Sequence, residues 1–255
     1  MFADAHVHLD RLKPKELELM LRLSQEANVE MLISVGIDLE SSARAVSLAQ
    51  SESRIWAAVG VHPWYARPLD QQAYHQLKKL ATHPKVLFIG EVGLDLNRAP
   101  ETLDVQITLL RQEIRLATEM GLPLNLHCRQ AHAKLREVAT EEGFTSLTGL
   151  IHGFDGDLAA MERCLELGLF VSFGRTLLNT GSEAEALVRR IPLDRLLLDT
   201  DSSVRSWRQN QNHPGRIAEI AQRVADLRGT SLAEIEQATY SNLCLLAERR
   251  KGPDH

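Results

Sequence analysis

The sequence predicts an α/β fold, a (β/α)8 barrel of the TIM type, on three observations. Eight short apolar runs alternate with segments of helical periodicity, the order expected of parallel strands joined by crossover helices. The runs are often β-branched and apolar throughout, as strands buried on both faces must be. Several also end in His, Glu or Asp, and a parallel barrel gathers all its strand C-termini at one rim. With 255 residues and 44% apolar composition, one such barrel over 1–255 is expected as a single domain.

Taken in order, the expected strands are Phe2–His6, Met31–Gly36, Ile55–Val61, Val86–Glu91, Leu122–His127, Leu147–His152, Leu169–Phe173 and Leu196–Asp199. Between the fourth and fifth, Leu103, Ile107, Leu110, Ile114 and Ala117 recur at three- and four-residue spacing and mark a helix with one apolar face. Pro14, Pro84, Pro123 and Pro192 fall at element boundaries, while Gly121 and Gly168 sit where helices should stop. The tail from Leu232 to Arg249 reads as an additional C-terminal helix packed on the barrel. No sequence repeat, low-complexity tract or linker interrupts the pattern.

The net charge of −5 gives no general attraction to long nucleic acid, so any phosphate recognition has to be local. Met1 runs almost directly into the first strand, and no apolar stretch approaches the roughly 20 residues that a bilayer span needs. A cytoplasmic protein with no membrane association is therefore expected. Cys128, Cys164 and Cys244 are odd in number and widely spaced, which suits reduced thiols. Cys128 follows a candidate ligand, and its neighbour's direction alternates, so it is read as packing.

His6 and His8 stand two apart on a strand, so both face one side and can hold one cation. His127 and His152 end consecutive strands and can share a second. Glu91 has two carboxylate oxygens and can bridge two cations, with Gly90 and Gly93 leaving room for close approach. Asp201 follows the last apolar run; it can ligate a metal and also orient or deprotonate water. Asp199 is the alternative acid there, and Asp201 is preferred. An isolated His-x-His is weak evidence, and a lone buried histidine is more often a hydrogen-bonded core residue. Six such groups at strand ends instead point to a site for two divalent ions. Zinc or manganese suits the imidazole and carboxylate content, and magnesium is admissible for phosphate chemistry.

His62, after the third run, is cast as a substrate contact or proton donor rather than a seventh ligand. Arg129, Arg175, Arg205 and Arg208 follow the fifth, seventh and eighth strands, where loops overhang the rim and guanidinium groups can grip phosphate. Arg129 is the preferred one. Trp64 and Trp207 could stack on a base, although loop aromatics more often pack.

These residues fall in a set of motifs: Asp4-x-His6-x-His8-Leu9-Asp10, Gly60-Val61-His62-Pro63, Gly90-Glu91-Val92-Gly93-Leu94-Asp95, His127-x-Arg129, His152-x-Phe154 and Thr200-Asp201-Ser202. Asn212-x-Pro214 and Thr239-x-x-Asn242 continue it. In this order the set resembles the TatD family of metal-dependent deoxyribonucleases, within the amidohydrolase-type, metallo-dependent hydrolase barrels. The resemblance implies His6, His8, Glu91 and Asp201 around one metal, and Glu91, His127 and His152 around another. It departs at Leu96-Asn97, where the family has an aromatic, at Gln130, usually acidic, and at Ser203, usually proline. All ligand positions are intact.

The expected activity is phosphodiester hydrolysis, a TatD-like deoxyribonuclease acting on single-stranded or frayed DNA ends, or on a small phosphodiester. Asp201 and Glu91 would act with the metals, Arg129 would position phosphate, and His62 would donate a proton. One alternative is hydrolysis of a cyclic amide; the rim arginines and the lack of a lysine in Leu122–Leu126 weigh against it. The other is a metal-stabilised binding subunit with reduced catalysis.

Overall fold

In a computed structural model, which describes residues 1–248, eight parallel strands pair in sequence order from β1 to β8. They are β1 Phe2–Val7, β2 Val29–Val35, β3 Ile55–Val59, β4 Val86–Asp95, β5 Leu124–Arg129, β6 Gly149–Ile151, β7 Phe170–Phe173 and β8 Leu196–Leu198. Just beyond β8 the chain returns to β1. Asp201 N–H donates to His6 O at 3.0 Å, His8 N–H donates to Ser202 O at 2.7 Å, and Val7 bridges Ser202, which closes the barrel.

Helices α1 Pro14–Glu26, α2 Leu39–Ser51, α3 Gln71–Ala81, α4 Leu103–Met120, α5 His132–Glu141, α6 Leu158–Glu166 and α7 Glu183–Arg190 join successive strands. After β8 come α8 Val204–Asn210, α9 Ile217–Arg228 and α10 Leu232–Glu248. Leu110, Ile114 and Ala117 of α4 are buried, the apolar face that its spacing implies, and Gly121 ends the helix at φ +61°, a conformation glycine adopts freely. The expected tail helix matches α10 except for Arg249, which lies outside the described residues.

Two groups of buried side chains make the core. The larger lies between strands and helices; the smaller alternates with it along the strands and fills the barrel interior with Ala3, Ile33, Phe88, Leu150, Phe170 and Leu197. Leu243 and Leu246 of α10 join this interior group. Asn242 fixes the helix there by donating to Leu193 O and Leu196 O at 2.9 and 2.8 Å. Thus α10 stoppers the end of the barrel where the strands begin, leaving the opposite rim for chemistry.

Several features differ from the sequence reading; Arg129, for one, ends β5 instead of following it. Strand β4 does not stop at Glu91 but continues to Asp95, because Val92 and Leu94 resume the buried pattern. Its pairing passes from Gly90↔Asn125 directly to Val92↔Leu126, so Glu91 is the extra residue of a bulge, a device that re-aims a side chain. A similar irregularity falls between Asp4 and Val7 of β1, around His6. Finally, Arg205 and Arg208 sit on the short helix α8 rather than in a loop; Ser203 caps it by accepting from Ser206 N–H.

Candidate metal centre

The rim opposite α10 opens into a cleft of about 780 Å³, lined by His8, His62, Glu91, His127, His152 and Asp201 among others. His6 lies beneath them, fully buried. Close packing of β4 on β5 makes this possible: a Cβ added at Gly93, φ +143°, would lie 1.9 Å from His127 O.

Glu91 is 3% exposed and occupies the middle. Its Oε2 lies 3.4 Å from both His6 Nε2 and His8 Nε2. Its Oε1 lies 2.8 Å from His127 Nδ1, 3.0 Å from His152 Nε2 and 3.2 Å from His62 Nε2. Asp201 Oδ1 stands 3.5 Å from His8 Nε2, on the solvent side. Burial would raise the Glu91 carboxyl, but the surrounding imidazoles outweigh it and hold it well below the usual range.

Which ring nitrogen carries the lone pair follows, for three of the rings, from its partners. His8 Nδ1 faces Val35 O at 3.0 Å, so it bears the proton and Nε2 is free to ligate. Asn125 Nδ2 donates to Ala5 O at 3.0 Å, which turns its Oδ1 toward His6 Nδ1 at 2.8 Å and again leaves Nε2 as the lone pair. His127 Nε2 donates to Asp95 Oδ2 at 3.0 Å, leaving Nδ1 toward Glu91. His152 Nε2 lies 3.0 Å from Glu91 Oε1 and 3.5 Å from Arg129 Nη2, and its buried Nδ1 has no hydrogen-bond partner, so its neighbours do not dictate which nitrogen carries the proton.

His6 Nε2 and His8 Nε2 are then two electron-rich atoms 3.2 Å apart, with Glu91 Oε2 beside them. On the other side, His127 Nδ1 and His152 Nε2 are 3.3 Å apart and crowd Oε1. Without a positive charge the His6–His8 contact repels. Ligands about 2.0–2.1 Å from a tetrahedral ion sit roughly 3.3 Å from one another, so the spacing suits a cation on each side of Glu91. The alternative is a proton, and burial notwithstanding, Glu91, Asp201 and Asp199 raise His6 to about 9. Among the described residues, the trios His6–His8–Asp201, His6–Glu91–His152 and His62–Glu91–His127 each bring ligand atoms within 4.8 Å.

His62 differs from the other imidazoles. Its Nδ1 accepts the Trp64 N–H at 3.0 Å, so the neutral ring carries its proton on Nε2, the atom facing the cleft and Glu91. Burial lowers its pKa and keeps it neutral. In this tautomer Nε2 offers the cleft a proton rather than a lone pair.

Asp199 does not reach the cleft. It is 1% exposed, and its Oδ2 accepts from Gly153 N–H at 2.8 Å and Ser172 O–H at 2.5 Å. Arg129 lies beside His152, its Nη1 bound to His152 O and Cys128 O at 3.2 and 3.1 Å, and it lines the cleft. Arg175, Arg205 and Arg208 line it too, with Arg208 paired to Glu16 at 2.9 Å. Trp64 borders the cleft, whereas Trp207 packs on the core and near the His213 ring. Cys128 is buried, and burial raises its thiol well above the usual range.

Sequence reasoning left the supporting polar residues without roles. Asp95 Oδ2 accepts from both His127 and Trp64 Nε1, the latter at 2.6 Å, and these donors hold its carboxyl well below its usual range despite burial. Asn212 Nδ2 donates to Thr200 O at 2.8 Å, under the turn that carries Asp201. Asp4, pushed up to about 8 by burial, accepts from Thr200 N–H at 3.0 Å and pairs with its hydroxyl at 2.5 Å. Asp95, Asn212 and Asp4 each stand in a motif of the sequence, which is the signal that was available.

A parallel barrel whose histidines and carboxylates converge at its C-terminal rim has the architecture of the metal-dependent hydrolase barrels. Residues 3–248 match the TatD related DNase family, and the chain belongs to it. It is 30% identical to the metal-dependent hydrolase YabD of Bacillus subtilis, covering 95% of this chain and 97% of that one. It is 32% identical to the 3'-5' ssDNA/RNA exonuclease TatD of Erwinia amylovora, over 89% and 92% of the two chains. The crystal structure of the TatD homologue YjjV from Escherichia coli superposes with a TM-score of 0.86 at 30% identity, over 96% and 97%. The protein is thus a TatD-family metal-dependent hydrolase. Among the described residues no helix is long and apolar enough to cross a membrane.

Proposed function

We propose that the protein hydrolyses phosphodiester bonds at unpaired ends of nucleic acid, DNA in the first instance, with two divalent ions of the zinc, manganese or magnesium type. The observation that carries this reading is the division of Glu91 between two imidazole pairs, one oxygen toward His6 and His8, the other toward His127 and His152. His6, His8, Glu91 and Asp201 would hold one ion; Glu91, His127 and His152 would hold the other. When bound, such ions activate water at neutral pH and neutralise charge developing on a phosphoryl group.

The chain's own residues supply the remaining work. Asp201, half exposed at the solvent side of the cluster, orients water and takes its proton. Arg129 spends two hydrogen bonds on carbonyls, which fixes its guanidinium while leaving other N–H groups for phosphate oxygens. His62 presents Nε2–H to the leaving oxygen. The cleft has the volume of a small-molecule site, enough for a nucleotide or so but not for a duplex. The free cysteines suit a reducing, cytoplasmic setting.

The deciding experiment offers one labelled sequence as single strand, frayed end and blunt duplex, with and without added divalent metal, at several salt concentrations. Metal-dependent cleavage of the unpaired forms with a shallow salt dependence is expected. Preference for the blunt duplex with a steep salt slope would overturn the end-directed reading, because a steep slope means many phosphates contacted at once. Cleavage of a cyclic amide with no diester cleavage would replace the function.

A further inference from the structure

Resting on that function, we propose that Trp64 is the platform on which the unpaired terminal nucleobase stacks, held in register with the catalytic centre by Asp95. Few large apolar side chains are exposed among the described residues: Met1, Trp64, Tyr65 and Leu245. Of these four, Trp64 lines the cleft. It is 44% exposed, yet the ring is not free to turn, because Nε1–H donates to Asp95 Oδ2 at 2.6 Å. A large flat ring already fixed in place loses little conformational entropy when something stacks on it.

The ring also stands at the right place. Its centroid is 4.6 Å from that of His62 and 6.1 Å from that of His127, so it begins where the candidate metal centre ends. Asp95 binds both His127 and Trp64 through the same oxygen, which ties the platform to the reacting end of the cleft. The Arg98 guanidinium, also lining the cleft, lies 4.8 Å from the indole centroid. The face therefore accepts a flat, delocalised partner. A nucleobase is a better one, and the displaced guanidinium is then free to meet a phosphate. Stacking of this kind tolerates any base, because every base has a π-face.

The test uses oligonucleotides that end either in a base or in an abasic sugar with the same phosphates. Cleavage is followed in the metal-loaded protein, and binding in an Asp201→Asn background. The base-bearing end should be preferred roughly 10-fold or more, the scale of one base–aromatic stack. Trp64→Ala should bring that ratio close to one. Trp64→Phe should keep most of it, although both variants lose the bond to Asp95, so any disturbance of the metal centre cancels in the ratio. An unchanged ratio in Trp64→Ala, or no preference in the wild type, would overturn the platform. Base preference in binding without cleavage of any oligonucleotide would keep it and remove the phosphodiesterase reading. Cleavage without base preference would do the reverse, and absence of both would remove both.

Discussion

Replacing Asp95 with Asn should weaken one metal position and spare the other. The side chain is 1% exposed, and its Oδ1 accepts from Asn97 N–H and Arg98 N–H at 2.9 and 2.8 Å, bonds that the amide oxygen can keep. The new NH2 group then falls where Oδ2 was, facing the N–H groups of Trp64 and His127. Two donors cannot bond each other, so His127 relieves the conflict by moving its proton to Nδ1, the atom needed as a ligand. Loss of such a supporting hydrogen bond costs about 10–100-fold in metal affinity, or roughly 1.4–2.7 kcal/mol. That agrees with the ~1.5–3 kcal/mol of a hydrogen bond to a charged group. Calorimetric titration of metal into stripped protein should show two classes of site in the wild type. In the variant, the His127 class should weaken by that factor while the His6–His8 class stays. Equal weakening of both, or of neither, would refute the tautomer argument.

Asp201→Asn should lower turnover by roughly 100-fold or more with the fold intact, since it removes a proton acceptor at the rim. Asp201 sits at φ +47°, a region Asn tolerates, so an unchanged melting temperature with near-normal turnover would move the role elsewhere. His127→Ala should bind one ion fewer than the wild type by elemental analysis. For Asp4, a folded pKa raised to about 8 means the acid is protonated in the native state but ionised in the unfolded chain above about 4. Its contribution to stability is complete below pH 4 and is lost as pH rises toward 8. Asp4→Asn imitates the protonated acid, donating to Thr200 Oγ1 from its amide. The metal-free variant should therefore lose less stability between pH 5 and pH 8 than the metal-free wild type, as read by denaturant midpoints.

What the sequence discloses and what it hides divide along a physical line. Strand order was legible because burial on both faces leaves runs such as Val86–Ile89 and Leu196–Leu198 with no polar positions. The histidines and carboxylates stood out because they interrupt those runs. Strand ends were less legible: Val92 and Leu94 extend β4 past Glu91, and the bulge there depends on what β5 offers opposite. The supporting residues were hidden for a related reason. Asn125 matters through Ala5 O and His6, some 120 positions away in the chain, and periodicity carries no information about a partner at that distance. Nor does sequence say which imidazole nitrogen holds the proton. That question separates His62 from His127, and only their neighbours answer it.

The seam between β8 and β1 gives the folding order a chemical readout. The backbone bonds that shut the barrel belong to His6, His8, Asp201 and Ser202, so the last strand to be made brings a ligand to the first. A chain emerging from the ribosome can assemble the His127 and His152 side while still open. It can complete the His8–Asp201 side only when the two ends meet. Metal capture on that side would then report that the barrel has closed. With the ions proposed above, a hydrolase built this way would stay inert until the two ends of its barrel are joined.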